Sequence, residues 1–151
     1  MDEYTEPQLD ASALITIDVQ RDVLEGGALE IPGTSAALDA MTRLAAAFRA
    51  AGRPLVHVVR LYREDGSNVD LCRRAAVEDG AAILAPGAEG TQLAPDLAGE
   101  RAEELDAEGL LAGELQPLGT NEWAMYKPRW GAFYGTPLEE HLRGLGVTTL
   151  V

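Results

Sequence analysis

Residues 13–18 read ALITID and residues 54–59 read PLVHVV. Each is a short, nearly unbroken apolar run of the kind seen in a parallel strand covered on both faces. Between them, Ser35 to Ala51 places Met41, Leu44, Ala45 and Phe48 at i, i+3, i+4 and i+7, and Gly52 stands at the C-terminal stop. Strand, helix and strand at this spacing make a βαβ unit, whose crossover is right-handed in nearly all cases. The pattern returns downstream, where Glu122 to Lys127 reads as another strand. Thr136, Pro137 and Glu139 then supply an N-cap, a proline at the first helical position and the third-position acid of a capping box. That helix carries Leu138, Leu142 and Leu145 on one face, Gly146 ends it, and Val147 to Val151 reads as a last strand. The alternation implies a three-layer α/β/α domain around a mostly parallel sheet.

The stretch from Arg60 to Gly113 is less regular. It contains a polar turn (Glu64 to Asn68), a short helix around Asp70 to Glu78, and then Pro, Gly and acidic residues through Glu114. Glu100, Glu103, Glu104, Asp106 and Glu108 read as a solvated face rather than a metal cluster.

Composition narrows the function classes. The 151 residues are 46% hydrophobic, enough for one domain with a sizeable core, and no internal repeat, low-complexity tract or interdomain linker is present. A formal net charge of −13, from 12 basic and 25 acidic residues, argues against nucleic acid or an anionic membrane surface as a partner. No apolar run approaches the roughly 20 residues of a membrane span. Met1 to Asp10 carries acids where a signal peptide would carry basic and apolar regions, so a cytoplasmic protein is expected. Cys72 is the single cysteine, which permits no internal disulfide and no cysteine metal cluster.

In open α/β sheets, sites gather outside the carboxyl ends of the strands. The polar residues there are Asp18 with Gln20, Arg60, and Lys127 with Arg129. An acid and a lysine at neighbouring strand ends can activate a nucleophile or move protons; the structural alternative is that Asp18 caps a helix and Lys127 merely pairs with it. Neither G-x-x-x-x-G-K nor G-x-G-x-x-G occurs, so nothing points to a nucleotide, and Gly26-Gly27 reads as turn chemistry. His57, inside a strand, is expected to be a core or supporting histidine, and His141, beside Glu140, an exposed one. Two histidines so placed cannot build the usual multi-imidazole zinc site. Arg73 and Arg74 would favour a thiolate at Cys72. Yet that residue falls in a helix away from any strand end and reads as structural.

Two segments carry a family resemblance: LITIDVQRDV (Leu14 to Val23) and YKPRWGAFYGTPLEEHLRGLGVTTLV (Tyr126 to Val151). They resemble the two leading motifs of the isochorismatase-like cysteine hydrolases, which include nicotinamidases, N-carbamoylsarcosine amidases and isochorismatases. Asp18 and Gln20 match the Asp-x-Gln ending the first strand. Lys127, Ala132, Phe133, Gly135 and Thr136 match the lysine motif. The two motifs lie more than 100 residues apart in the family's order.

The resemblance implies a Cys-Asp-Lys triad, with Asp18 as acid/base, Lys127 as the cation beside the thiolate, and backbone N–H groups next to the cysteine as an oxyanion hole. In the family the cysteine follows the strand that begins like Gly146 to Val151. The resemblance therefore implies an N-terminal portion of a longer hydrolase, with its nucleophile past Val151 and Cys72 playing no such part. The implied reaction is hydrolysis of a small amide, carbamoyl or related carbon–nitrogen bond. A vinyl-ether hydrolase without the cysteine and a non-catalytic member of the fold are the alternatives. Gln20, Trp130 and Phe133 are expected to bind substrate. Trp123 and Tyr134 cluster with the last two around the lysine motif and could equally pack at a sheet edge or subunit contact. Val23 and Gly131 depart from the common Phe and Ser, and Leu61 to Asn68 lacks the histidine of the nicotinamidase metal site. No metal and no cofactor are expected. The expected partners are a small-molecule substrate and further copies of the chain, as a dimer or tetramer.

Overall fold

The computed structural model describes residues 4–98 and 104–151. Five strands, β1 (Ser12–Ile17), β2 (Leu55–Val59), β3 (Leu115–Gly119), β4 (Glu122–Tyr126) and β5 (Thr149–Leu150), form one sheet in the order β3-β4-β2-β1-β5. All pairings are parallel except β3 with β4. Every residue of β2 is buried, which is why its sequence is almost continuously apolar rather than alternating.

Helices cover both faces. On one side α1 (Thr34–Ala50) lays Leu38, Met41, Ala45 and Phe48 over Leu14 and Leu55, joined by Leu97 of the short helix α3 (Pro95–Ala98), which follows α2 (Leu71–Glu78) in the chain. On the same side α4 (Ala107–Leu111) sets Leu110 against Val59 and Ala124, and on the other side α5 (Leu138–Gly144) packs Leu138 and Leu142 on Val56, Val58 and Met125. Each fully buried aliphatic side chain contributes roughly 1.5–3 kcal/mol. The three-layer α/β/α reading therefore holds. Among the described residues no helix is long and apolar enough to cross a membrane.

Several local expectations need correction. Leu44 is 39% exposed and Leu145 41%, so the packed face of α1 runs through Leu38 instead, and the last helix turns outward at its C-cap. Helix α5 begins at Leu138 with Pro137 as N-cap, because the Thr136 hydroxyl donates to Ala132 O at 2.6 Å and accepts from Leu138 N only at 3.5 Å. His141 is half-buried against the Trp123 ring, 4.5 Å away and edge-on, and this burial holds its imidazole below the usual value. Cys72 is exposed on α2 rather than packed in the core. Of the acidic run, Glu100 and Glu103 lie outside the described residues; Glu104, Asp106 and Glu108 are exposed, and Asp106 caps α4 by accepting from Glu108 N and Gly109 N. Strand β3 has no counterpart in the sequence reading. Its Pro117 argues against a strand, yet an edge strand tolerates proline, and Asn121, at φ 57°, closes the tight turn into β4.

One polar network lies within the core. The Glu122 carboxylate at the start of β4 receives Nε and Nη2 of Arg49 from α1, at 2.8 and 2.6 Å, and Nε2 of His57 at 2.8 Å. Since a carboxylate only accepts, His57 donates from Nε2. Its Nδ1 lies 2.8 Å from the Thr16 hydroxyl. Burial alone would raise the Glu122 pKa, but the hydrogen bonds from Arg49 and His57 outweigh it and lower it from 4.5 to about 2. A depressed carboxylate adds stability above its unfolded pKa and loses it as pH falls through the folded one. Glu122→Gln is expected to destabilise the protein by about 3 kcal/mol at pH 7. In urea unfolding, the gap from wild type should close as pH falls from 4.5 towards about 2; a gap independent of pH would refute the ion-pair account.

Candidate active site

The parallel register brings the ends of three strands together. Ile17 lies opposite Val58, and Val59 opposite Tyr126, so Asp18, Arg60 and Lys127 emerge at one edge of the sheet. There Lys127 Nζ stands 2.8 Å from Asp18 Oδ2. The lysine is 4% exposed, its backbone N–H bonds Val59 O, and Nζ also donates to Trp130 O at 3.3 Å. Asp18 takes a left-handed φ of 56°, which Asp tolerates better than most residues and which turns the chain out of β1. Its Oδ1 is buried without a hydrogen-bond partner among the described residues, leaving one carboxylate oxygen unengaged.

Arg60 sits between these two residues and is 3% exposed. Its Nη1 donates to Lys127 O at 2.5 Å and its Nη2 to Asp70 Oδ2 at 2.8 Å. The same Asp70 oxygen accepts from the Tyr62 hydroxyl at 2.8 Å. Burial would raise the Asp70 pKa, but the hydrogen bonds from Arg60 and Tyr62 keep it below the ordinary range. Burial, then the bond to Asp70, push the Tyr62 phenol up to about 12, so it remains a neutral donor.

A cavity of about 380 Å³ opens over these groups. Asp18, Lys127, Arg60 and Asp70 form its polar wall, with Ile17, Val23, Leu29, Ile31, Leu84 and Trp130 as the apolar one and Arg73 of α2 also lining it. Asp22 holds part of that wall in place: its Oδ2 accepts from Leu84 N at 2.7 Å, and Leu84 O in turn accepts from Tyr62 N. A Cβ at Gly90 would lie 1.9 Å from Asp22 Oδ1, so glycine is what lets the 89–91 turn close over that carboxylate.

The residues expected at the site divide accordingly. Trp130 joins Asp18 and Lys127 at the cavity. Phe133 lies elsewhere, beside Leu142, Val147 and Leu150. Gln20 is fully buried, and its carboxamide bonds Arg60 N, Arg60 O and Thr91 O, tying together the ends of β1 and β2 and the 91–94 segment. Among the described residues Arg129 hydrogen-bonds only Pro128 O and stays exposed, and Cys72 does not line the cavity. Sequence reasoning passed over Asp70, Tyr62, Asp22 and Leu84. Only the polar loop after β2 hinted at the first two, since their pairing with Arg60 depends on how that loop folds back.

The isochorismatase domain model matches residues 12–151. The chain belongs to the isochorismatase family. This isochorismatase-family chain is 30% identical to a crystal structure of an isochorismatase family protein from Desulfovibrio vulgaris, with a TM-score of 0.74, covering 93% of this chain and 64% of that one. It is also similar to nicotinamidase/pyrazinamidase from Bacillus subtilis, at 26% identity and a TM-score of 0.64, over 92% of this chain and 68% of the other. Among curated proteins it is 28% identical to a "probable inactive nicotinamidase" of Arabidopsis thaliana, over 93% of this chain and 63% of that protein. The chain thus spans less than two thirds of the length of the Desulfovibrio and Arabidopsis relatives.

A zinc ion, as found in complex with the pyrazinamidase of Pyrococcus horikoshii, does not fit the residues after β2. The Asp70 carboxylate is bound by the Arg60 guanidinium, whose charge repels a cation. Among the described residues no cluster of three or more His, Cys, Asp or Glu could hold a metal.

Gln20 connects three backbone segments and is sealed from solvent. Gln20→Ala should therefore lower stability by about 3 kcal/mol, since it strands two carbonyls and an N–H. Unchanged urea unfolding would mean that the carboxamide is not structural.

Proposed function

We propose that the protein hydrolyses a small amide, carbamoyl or related carbon–nitrogen bond, with Asp18 as acid/base, Lys127 as the fixed cation, and a cysteine following β5 as nucleophile. The observation that carries this reading is the 2.8 Å Lys127–Asp18 pair at the floor of a cavity, with one Asp18 oxygen unengaged. The register of β5 supports the placement of the nucleophile. Ser12 faces Thr149 and Ala13 faces Leu150, so a strand carried on in this register draws level with Asp18 four residues after Val151.

In this mechanism the thiol passes its proton to Asp18 as sulfur attacks the carbonyl carbon, and the carbonyl π electrons move onto oxygen. Collapse of the tetrahedral adduct breaks the carbon–nitrogen bond, and the proton on Asp18 goes to the departing amine. Water then attacks the thioester, giving one proton to Asp18, which returns it to the departing thiolate. Throughout, the ammonium of the buried Lys127 stays near the developing negative charge, which it stabilises.

Similarity to a protein described as a probable inactive nicotinamidase favours a second reading, a non-catalytic member of the fold. Kinetics of the full-length protein on a panel of small primary amides and carbamoyl compounds separates the two. Asp18→Asn and Lys127→Ala should each reduce kcat/KM by about 10²–10⁴-fold, while Cys72→Ser leaves it unchanged. Iodoacetamide inactivation should map to a cysteine after β5. Near wild-type turnover by Asp18→Asn, or inactivation that maps to Cys72, would refute the assignment.

A further inference from the structure

Resting on the reading of Asp18 and Lys127 as hydrolytic groups, we propose that the substrate carries a carboxylate remote from the scissile bond, with Arg73 as its counter-ion. The charges within the cavity do not balance. Five charged side chains line it, and four are already paired, Asp18 with Lys127 at 2.8 Å and Asp70 with Arg60 at 2.8 Å. The fifth, Arg73, has no carboxylate within 4.0 Å among the described residues. It is half-buried on α2, where a guanidinium is partly desolvated and best matched by a planar, bidentate anion.

The surroundings make the excess positive charge unusual. The chain carries a net charge of −13, so its surface as a whole repels anions, yet this cavity holds one cation more than it has carboxylates. Arg73 lines the same cavity as Tyr62, Asp70 and Arg60, so its charge borders the site. Val23, Leu29, Ile31 and Leu84 also line the cavity and suit a short hydrocarbon spacer. The ligand class that satisfies all three features is a short aliphatic ω-amido acid: an amide or carbamoyl carbon over Asp18 and Lys127, an apolar linker, and a carboxylate on Arg73.

The test is direct binding, by calorimetry on the full-length protein, of two acid and neutral pairs: succinamate against succinamide, and glutaramate against glutaramide. In at least one pair the acid should bind about tenfold or more tightly than the diamide. Arg73→Gln should abolish that preference, and Arg73→Lys should keep part of it. Equal affinity within both pairs, no binding of any of the four compounds, or a preference that survives in Arg73→Gln would overturn the proposal. Binding does not require turnover. A protein that prefers the acids through Arg73 yet hydrolyses no amide would refute the hydrolytic reading alone, whereas turnover without the preference would refute the carboxylate site alone.

Discussion

The site depends on the parallel register of β1, β2 and β4. Parallel strands start and stop at the same edge of a sheet, so side chains just past their ends converge even when they are far apart in sequence. Asp18 and Lys127 do not sit on neighbouring strands, because β2 lies between β1 and β4. Two strand spacings are roughly 10 Å, a gap that a lysine side chain and a turned-out aspartate can close together. A shift of either outer strand by one residue would turn the lysine or the aspartate to the opposite face of the sheet.

The intervening strand end is filled by charge rather than by apolar packing. Arg60 takes the space between the two catalytic candidates and must be satisfied there, since an unpaired buried cation is costly. It is satisfied by Lys127 O and Asp70, while Gln20 fixes its backbone on both sides. This arrangement links the loop after β2 to the catalytic edge. It also commits the Asp70 carboxylate to the Arg60 guanidinium.

At the opposite end of the same strands, Glu122, His57 and Arg49 form the second buried polar cluster. It joins α1 to β2 and β4 and so holds the register from below. The two clusters bracket an otherwise apolar pair of layers, and each is closed by hydrogen bonds that only the folded chain can supply.

Local pattern was enough to read α1, β1, β2, β4 and the βαβ order, because burial on both faces writes a continuous apolar run and a helix writes a 3.6-residue period. Asp18, Lys127 and Arg60 were legible as candidates for a related reason, since strand ends in such folds are where polar side chains meet. Strand β3 was not, as its pairing is made by a two-residue turn and an edge position that tolerates Pro117. Nor could sequence distinguish Gln20 buried on three backbone groups from Gln20 facing a ligand, or separate Trp130 at the cavity from Phe133 three residues on. Those distinctions depend on which way a side chain points after long-range contacts form. By itself the sequence determined the fold class and marked the strand ends where polar side chains gather, through periodicity and composition. Only the tertiary structure decided which charges neutralise one another, because pairing such as Arg60 with Asp70, and its absence at Arg73 among the described residues, is a matter of distance in space.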